Sequence, residues 1–251
     1  MRRPASRLPL GSGLLLIASL AACARHPPAA EPLPDLPEAP SGYHALLQAT
    51  WATSGGKRRA QVGIAYLAPD SLRLEILTPG GTPRAVLVST GEGAVLLDMA
   101  RRTYRPFETG RRAVEALVSI SAPPGLLGRL LLGPESLKKG SDCRPREKDS
   151  GTGAVTCRLE EGETIEFRGG DDLAAELLPA SGEAAQILWS AAPGGSRKPP
   201  STVRVVQRNQ AADLVVRLVD IRFADPPPAL FTLAPPEGFS REERGDTLWT
   251  P

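Results

Sequence analysis

The sequence predicts a mainly β domain in which an antiparallel sheet of sequential strands is accompanied by short helices. Three observations predict this class. From Tyr43 onward apolar and polar residues alternate with the period of two that marks half-buried strands. Pro and Gly contribute 26 and 25 of the 251 residues, which indicates many turns. Only residues 111–132 show the three- and four-residue spacing of helices.

The first 22 residues have the pattern of an export signal. Three arginines precede the apolar run 10–22, and thirteen residues are too few to cross a bilayer core of ~30 Å. The run ends in Leu20-Ala21-Ala22-Cys23, which resembles the bacterial lipobox, so we expect residues 1–22 to be removed and Cys23 to be acylated, as with palmitate. The alternative is an ordinary secretory signal that leaves Cys23 as a spare thiol. By resemblance to such lipoproteins, Ala24 in place of Asp favours the outer membrane.

Residues 23–42 are predicted to be the acylated cysteine and a Pro-rich tether. Six prolines lie between small and acidic residues, at 27, 28, 32, 34, 37 and 40. Such a composition cannot bury enough apolar surface to fold. In a polyproline II conformation of ~3.1 Å per residue, the segment after Cys23 reaches up to ~60 Å.

The first half of the domain reads as a meander of strands separated by Pro and Gly breakers. Leu72, Leu74 and Ile76 illustrate the pattern, because they oppose Arg73 and Glu75. The predicted strands of this half lie around residues 43–51, 62–66, 72–76, 86–88, 94–99 and 103–107.

Residues 111–132 predict two short amphipathic helices, since Pro123-Pro124-Gly125 interrupts the apolar spacing. After Gly133 the chain is rich in loop residues, and then strands resume. They are expected at 154–159, 164–167, 173–178, 186–190, 202–207 and 214–223, the last with the continuous apolar run of a central strand. One domain over residues 43–240, followed by a frayed tail at 241–251, is the simplest organisation.

Three segments together resemble the LolA/LolB-like superfamily of lipoprotein carriers and receptors, of which this chain would be a divergent member. They are Gly63–Glu75 with its Pro-Asp-x-Leu-Arg-Leu pattern, Leu130–Gly133 at the end of the helical insert, and Ala229–Gly238 with its Phe-x-Leu-x-x-Pro-x-Gly pattern. The resemblance implies an incomplete, strongly curved antiparallel β-barrel closed by a helical lid, with an apolar cavity for acyl chains. Two features depart from the family: the turn 78–83 lacks a bulky apolar residue, and the segment 138–153 is longer than the family core requires.

The cavity is expected to be lined by aliphatic residues of the early strands and the helices, because the chain has only 11 aromatic residues. Its predicted lining is Leu72, Leu74, Ile76, Val86, Val88, Leu117, Leu127, Leu130 and Leu131. A fully packed core would have the same periodicity, so both interpretations stay open at this point.

Cys143 and Cys157 are the only thiols left once Cys23 is acylated. They flank a Gly-containing loop in a chain expected in an oxidising compartment, which predicts a disulfide. The alternatives are buried free cysteines or a redox-active pair, although the spacing is not Cys-x-x-Cys.

Catalytic, metal and cofactor motifs are not evident. The two histidines, His26 and His44, fall in the tether and at a strand start, and no nucleophile elbow, P-loop or dinucleotide fingerprint occurs. Ser136 to Lys139 matches Ser-x-x-Lys without its partner motifs. Five carboxylates (Glu160, Glu161, Glu163, Asp171 and Asp172) offer a cation site or, more commonly, solvated turns. We therefore expect no enzyme, no metal and no cofactor.

Positive charge does not indicate nucleic acid as a partner, because without the three N-terminal arginines 27 basic residues face 28 acidic ones. Five arginines do gather around one hairpin and the start of the helices, at 101, 102, 105, 111 and 112. They could meet anionic lipid headgroups, but a solvated hairpin is the interpretation that the sequence favours.

Two functions of different class follow. The first is an envelope lipoprotein, anchored at the periplasmic face of the outer membrane, that binds acyl chains of a lipid or lipoprotein and acts in lipoprotein localisation. The alternative is a structural or sensory envelope lipoprotein that uses the same fold to bind a protein partner.

Overall fold

Fourteen strands and three short helices make up the described part of the computed structural model. The structure describes residues 34–37, 40–53, 56–118, 120–139, 141–145, 154–159, 162–167, 174–178, 184–190, 198–207 and 212–242. The strands of the first half are β1 (Gly42–Thr53), β2 (Gly56–Leu67), β3 (Ser71–Leu77), β4 (Pro83–Thr90), β5 (Gly93–Asp98) and β6 (Thr103–Phe107). The helices follow as α1 (Gly110–Val118), α2 (Pro124–Leu130) and α3 (Pro134–Lys138).

The second half returns to strands. They are β7 (Asp142–Pro145), β8 (Val155–Arg158), β9 (Thr164–Phe167), β10 (Ala174–Leu178), β11 (Ala185–Ser190), β12 (Thr202–Gln207) and β13 (Ala212–Arg222). A 3-10 turn at Pro228–Phe231 and the two-residue strand β14 (Ser240–Arg241) complete the described chain.

All fourteen strands belong to one sheet, in the order β14-β6-β5-β4-β3-β2-β1-β13-β12-β11-β10-β9-β8-β7. Every pair is antiparallel except β14 with β6. Long strands β1 and β13 join the two halves, with Trp51 opposite Leu214 and Ala45 opposite Ile221. The sheet is curved and its ends, β14 and β7, are not hydrogen-bonded to each other. It is therefore an open half-barrel, and the predicted fold class is confirmed.

The two faces of the sheet are covered by different parts of the chain. The main core lies on the inner face, where Leu72, Leu74 and Ile76 pack with apolar residues of the three helices. A second apolar cluster lies on the outer face of β2–β5, where Phe231 of the 3-10 turn covers Val86 and Val88. The chain between β13 and β14 thus serves as an outer cover for one part of the sheet.

The predicted helical stretch is interrupted at the predicted Pro-Pro-Gly, because α1 ends at Val118 and α2 begins at Pro124. Three short elements lie where the sequence predicts loop or tail: α3, β7 and β14. Each has five residues or fewer, too few to establish a periodicity. Residues 243–251 of the predicted tail lie outside the described residues, as do the predicted signal and Cys23.

Candidate functional site

The inner face of the half-barrel is the first candidate site, because a continuous aliphatic surface is held there beneath separate helices. Leu72, Leu74 and Ile76 are no more than 6% exposed, and β4 adds the fully buried Leu87. Helix α1 packs on β4 and β5, and α2 packs on β3. We call α1, α2 and α3 together the helical cover.

Helix α2 approaches the sheet closely because it carries glycine at its contact points. A Cβ on Gly128 would overlap the ring of Tyr66, and a Cβ on Gly125 would lie 2.5 Å from the carbonyl oxygen of Pro69. The Tyr66 ring in turn lies 5.4 Å from the ring of Tyr43, with an interplanar angle of 44°. The helix backbone therefore rests directly on an aromatic pair from β1 and β2.

Two buried hydrogen bonds attach α2 to both halves of the sheet. The Tyr43 hydroxyl donates to the Gly128 carbonyl oxygen at 2.8 Å, and the Trp189 indole Nε1–H donates to the Leu130 carbonyl oxygen at 2.9 Å. Burial, followed by the influence of Tyr66, raises the pKa of Tyr43 well above its ordinary value. The phenol therefore stays protonated and able to donate throughout the physiological pH range.

Helix α3 is held onto α2 by one side chain. The Arg129 guanidinium donates to the carbonyl oxygens of Ser136, Leu137 and Lys139, at 2.8, 2.8 and 2.7 Å for its Nη2. These include carbonyls near the end of α3, which have no partner within so short a helix. Arg129 thus makes α2 and α3 one connected unit.

A buried ion pair joins the helical cover to the second half of the sheet. Arg111, in the first turn of α1, pairs with Glu163, which immediately precedes β9. The Glu163 side chain is fully buried, whereas that of Arg111 keeps 21% exposure. A void of about 50 Å³ is lined by Glu163 together with Asp70 and Arg129. The pair therefore joins α1, which follows β6, to the chain that leads into β9.

The predicted disulfide is present. Cys143 of β7 and Cys157 of β8 face each other across the two strands, with Cα atoms 3.9 Å apart, and their sulfurs are bonded. Because β7 follows directly after α3, the disulfide fastens the end of the helical cover to the sheet.

The predicted cavity residues do not all lie together. Leu72, Leu74, Ile76, Leu117, Leu130 and Leu131 are buried in the inner-face core, with Leu127 half-buried against it. Val86 and Val88 lie on the opposite face beneath Phe231, so their assignment to the same lining is corrected. The reason is that β4 is buried on both faces, with Ala85 and Leu87 on the inner face. Such a strand has no alternation of polar and apolar residues, so its sequence does not show which side chains face the inside of the sheet.

A groove on the outer face is a second candidate site, which the sequence did not reveal. It has a volume of about 470 Å³ and crosses β3, β2, β1 and β13. The register aligns two rows across these strands: Arg73, Ala65, His44 and Arg222, then Glu75, Gly63, Leu46 and Asp220. Its charges are mutually paired, with Arg73 2.7 Å from Glu75 and Arg222 3.4 Å from Asp220.

The described residues contain no group of three His, Cys, Asp or Glu side chains placed to hold a metal ion. The carbonyl oxygens of Ser136 and Lys139 serve the Arg129 hydrogen bonds. Glu163 is the one carboxylate of the predicted acidic group whose position is described, and it belongs to the ion pair with Arg111. None of the described helices is long and apolar enough to cross a membrane.

Fold and site together define a class of protein: an open antiparallel half-barrel with an apolar inner face covered by short helices. No family model matches the sequence, and no curated protein matches it.

Solved structures do match. The chain is similar to a LolA superfamily protein from Nitrosomonas europaea, with a TM-score of 0.51, 9% sequence identity, and coverage of 76% of this chain and 90% of that chain. It is also similar to a DUF1329 family protein from Desulfovibrio piger, with a TM-score of 0.51, 10% identity, and coverage of 78% and 91%. The chain has a LolA-like fold, which confirms the predicted resemblance at the level of the fold.

Proposed function

We propose that this chain is an envelope lipoprotein that binds acyl chains of a lipid or lipoprotein between the inner face of its sheet and the helical cover. The observation that carries the proposal is the construction of that face. Aliphatic side chains form one continuous surface, and what lies over it is three separate short helices rather than a second sheet. Such a cover can be displaced while the strand ladder stays intact.

The inner surface is chemically suited to alkyl chains. Leu72, Leu74, Ile76 and Leu87 present only hydrocarbon, and each CH₂ group of a ligand buried there contributes ~0.8 kcal/mol. In the structure these side chains contact the protein itself. Ligand entry therefore requires α2 to move, which breaks the hydrogen bonds from Tyr43 and Trp189.

The proposal is tested by lipid analysis of the protein purified from its host membrane, followed by displacement of a fluorescent fatty acid. We expect co-purified lipid and saturable micromolar binding. The variant Trp189→Phe should speed ligand exchange, because it removes one attachment of α2 and keeps most of the aromatic packing. A matched control is Trp51→Phe. Trp51 is also buried on the inner face of the sheet, but it lies at the end of β1 remote from Tyr43. Absence of both co-purified lipid and fatty-acid binding would refute the proposal.

We further propose that Cys23 anchors the protein at the periplasmic face of the outer membrane and that it acts in lipoprotein localisation. The support is the Leu-Ala-Ala-Cys sequence together with the LolA-like fold. Replacing Cys23 with Ser should abolish acyl labelling and shift the protein out of the membrane fraction. Unchanged labelling and fractionation would contradict the anchor.

A second function, binding of an envelope protein partner, is favoured by the groove on the outer face. Its floor at Gly63 is open, since a Cβ there would have no neighbour closer than 3.7 Å. The variant Gly63→Trp should fill the groove without disturbing the inner face. Loss of a partner in cross-linking of intact envelopes, with fatty-acid binding unchanged, would support this function over the first.

A further inference from the structure

We propose that one end of the first half of the sheet is a docking surface for a membrane of anionic phospholipids. Six basic side chains gather at this end, and we call them the basic rim. They are Lys57, Arg58, Arg59, Arg84, Arg101 and Arg102. Lys57, Arg59, Arg84, Arg101 and Arg102 are exposed, and Arg58 is half-buried.

Strand topology brings these residues together from three separate parts of the sequence. The first three lie at the start of β2, Arg84 lies at the start of β4, and the last two form the turn between β5 and β6. Because β2 to β6 are sequential antiparallel neighbours, these positions share one end of the sheet. With neighbouring strands ~4.8 Å apart, the rim spans ~20 Å. Neighbouring charges therefore lie within about a Debye length and act together.

Negative charge is scarce at this end. In the described part of β2 to β6, Asp98 is the one carboxylate there, and its side chain is only 15% exposed. Its Oδ1 accepts hydrogen bonds from the backbone amides of Ala100 and Arg101 at 2.9 and 3.0 Å, and its Oδ2 lies 3.9 Å from Nε of Arg101, so it offsets part of one rim charge. The β3–β4 turn between the basic groups is exposed and uncharged: Pro79, Gly80, Gly81 and Thr82.

Two described carboxylates outside these strands are balanced by other arginines. Asp213, at the start of β13, lies 2.7 Å from the guanidinium of Arg204. Glu242 follows Arg241 beside β6, so that pair adds no net charge. Glu237, exposed in the turn before β14, lies near the rim, because the Ser240 amide donates to the carbonyl oxygen of Arg102. The described carboxylates near this end are fewer than the six basic side chains, and that excess of positive charge is complementary to anionic headgroups.

The structure separates this rim from the other arginines of the sequence cluster. Arg111 is engaged with Glu163, and Arg105 lies over the Phe107 ring at 5.1 Å. Helix α2 begins at the other end of the sheet, where Gly125 packs on Pro69 of the β2–β3 turn. A membrane bound at the rim would therefore lie away from this attachment of the helical cover.

The test is partitioning of the full chain carrying Cys23→Ser onto vesicles, so that no acyl anchor contributes. Vesicles of phosphatidylcholine are compared with vesicles that also contain phosphatidylglycerol. The rim variant is Arg59→Gln, Arg101→Gln and Arg102→Asn, the last chosen because Arg102 has a φ of 52°, which Asn tolerates. The control variant removes three exposed arginines elsewhere: Arg112→Gln, Arg144→Gln and Arg217→Gln.

Each basic side chain near an anionic surface contributes about fivefold to partitioning, so the rim variant should bind anionic vesicles about 100-fold more weakly than its parent. The control variant should stay close to the parent, and added salt should weaken parent binding. Equal losses in the two variants, or equal binding to vesicles of both compositions, would overturn the proposal. Matching circular dichroism and melting curves establish that the rim variant is folded. Failure of fatty-acid binding would leave this result unaffected, because the two surfaces lie on different parts of the sheet.

Discussion

The Arg111–Glu163 ion pair provides the sharpest test of how the open sheet is held together. Removing Arg111 as Arg111→Met leaves a carboxylate that is fully buried and, among the described residues, accepts no other hydrogen bond. Breaking a buried pair in this way typically costs ~3–5 kcal/mol. The cost is high because the fully buried carboxylate loses its charge partner.

The reverse change should cost less. In Glu163→Gln the guanidinium of Arg111 keeps its 21% exposure and can be hydrated, so the loss is that of a charged hydrogen bond, ~1.5–3 kcal/mol. The double variant Arg111→Met, Glu163→Leu removes both charges and replaces them with apolar groups of similar size. Such replacements are often neutral, so the double variant should be more stable than Arg111→Met alone.

Urea unfolding followed by tryptophan fluorescence measures the wild type, the double variant and the single variants Arg111→Met, Glu163→Gln and Glu163→Leu, with the buried Trp51 and Trp189 as reporters. The wild type, Arg111→Met, Glu163→Leu and the double variant form the mutant cycle, in which we expect strong coupling. We also expect faster amide exchange in α1 of the single variants. Additive effects, or a smaller loss for Arg111→Met than for Glu163→Gln, would refute the reasoning that a buried carboxylate depends on this partner.

Three further predictions concern the attachments of the cover and the sheet edge. Tyr43→Phe should cost ~1 kcal/mol through its lost hydrogen bond. Because burial raises the pKa of Tyr43, the phenol ionises at lower pH in the unfolded chain than in the folded one. The free energy of unfolding of the wild type should therefore fall as pH rises above about 10. The same measurement on Tyr43→Phe should show less of this loss. Replacing Cys143 and Cys157 with Ala should lower the free energy of unfolding by ~3 kcal/mol, measured in urea, and an unchanged midpoint would contradict the disulfide's role. Gly128→Ala should lower it by ~1–3 kcal/mol despite the higher helix propensity of Ala, whereas Gly63→Ala, which has room for a methyl group, is the control and should be nearly neutral.

Much of the fold follows from local patterns in the sequence. Alternation on β1, β2 and β3 identifies strands with one buried face, because a strand in a half-exposed sheet must place apolar residues at every second position. Pro123-Pro124-Gly125 marks the break between α1 and α2, since a proline cannot continue a preceding helix. The pairing of Cys143 with Cys157 follows from elimination once Cys23 is assigned to the anchor.

Other features depend on tertiary contacts that local patterns do not contain. Val86 and Val88 are indistinguishable by pattern from inner-face residues, because β4 is apolar on both sides. Their place on the outer face follows from the pairing of Leu74 with Leu87 and from the cover that Phe231 provides from a distant part of the chain. Periodicity orients a strand only when one of its faces is polar.

The sequence by itself determined most of the longer strands, the break between α1 and α2 and the pairing of Cys143 with Cys157. Turn residues and periodicity are local properties, and the number of cysteines can be counted directly. Tertiary structure alone decided the partner of Glu163, the groove across β3 to β13 and the basic rim. Each of these combines residues from separate strands whose adjacency depends on sheet order and register. Register is set by turns, bulges and packing across the sheet, so side chains that share a site need share no pattern in the sequence.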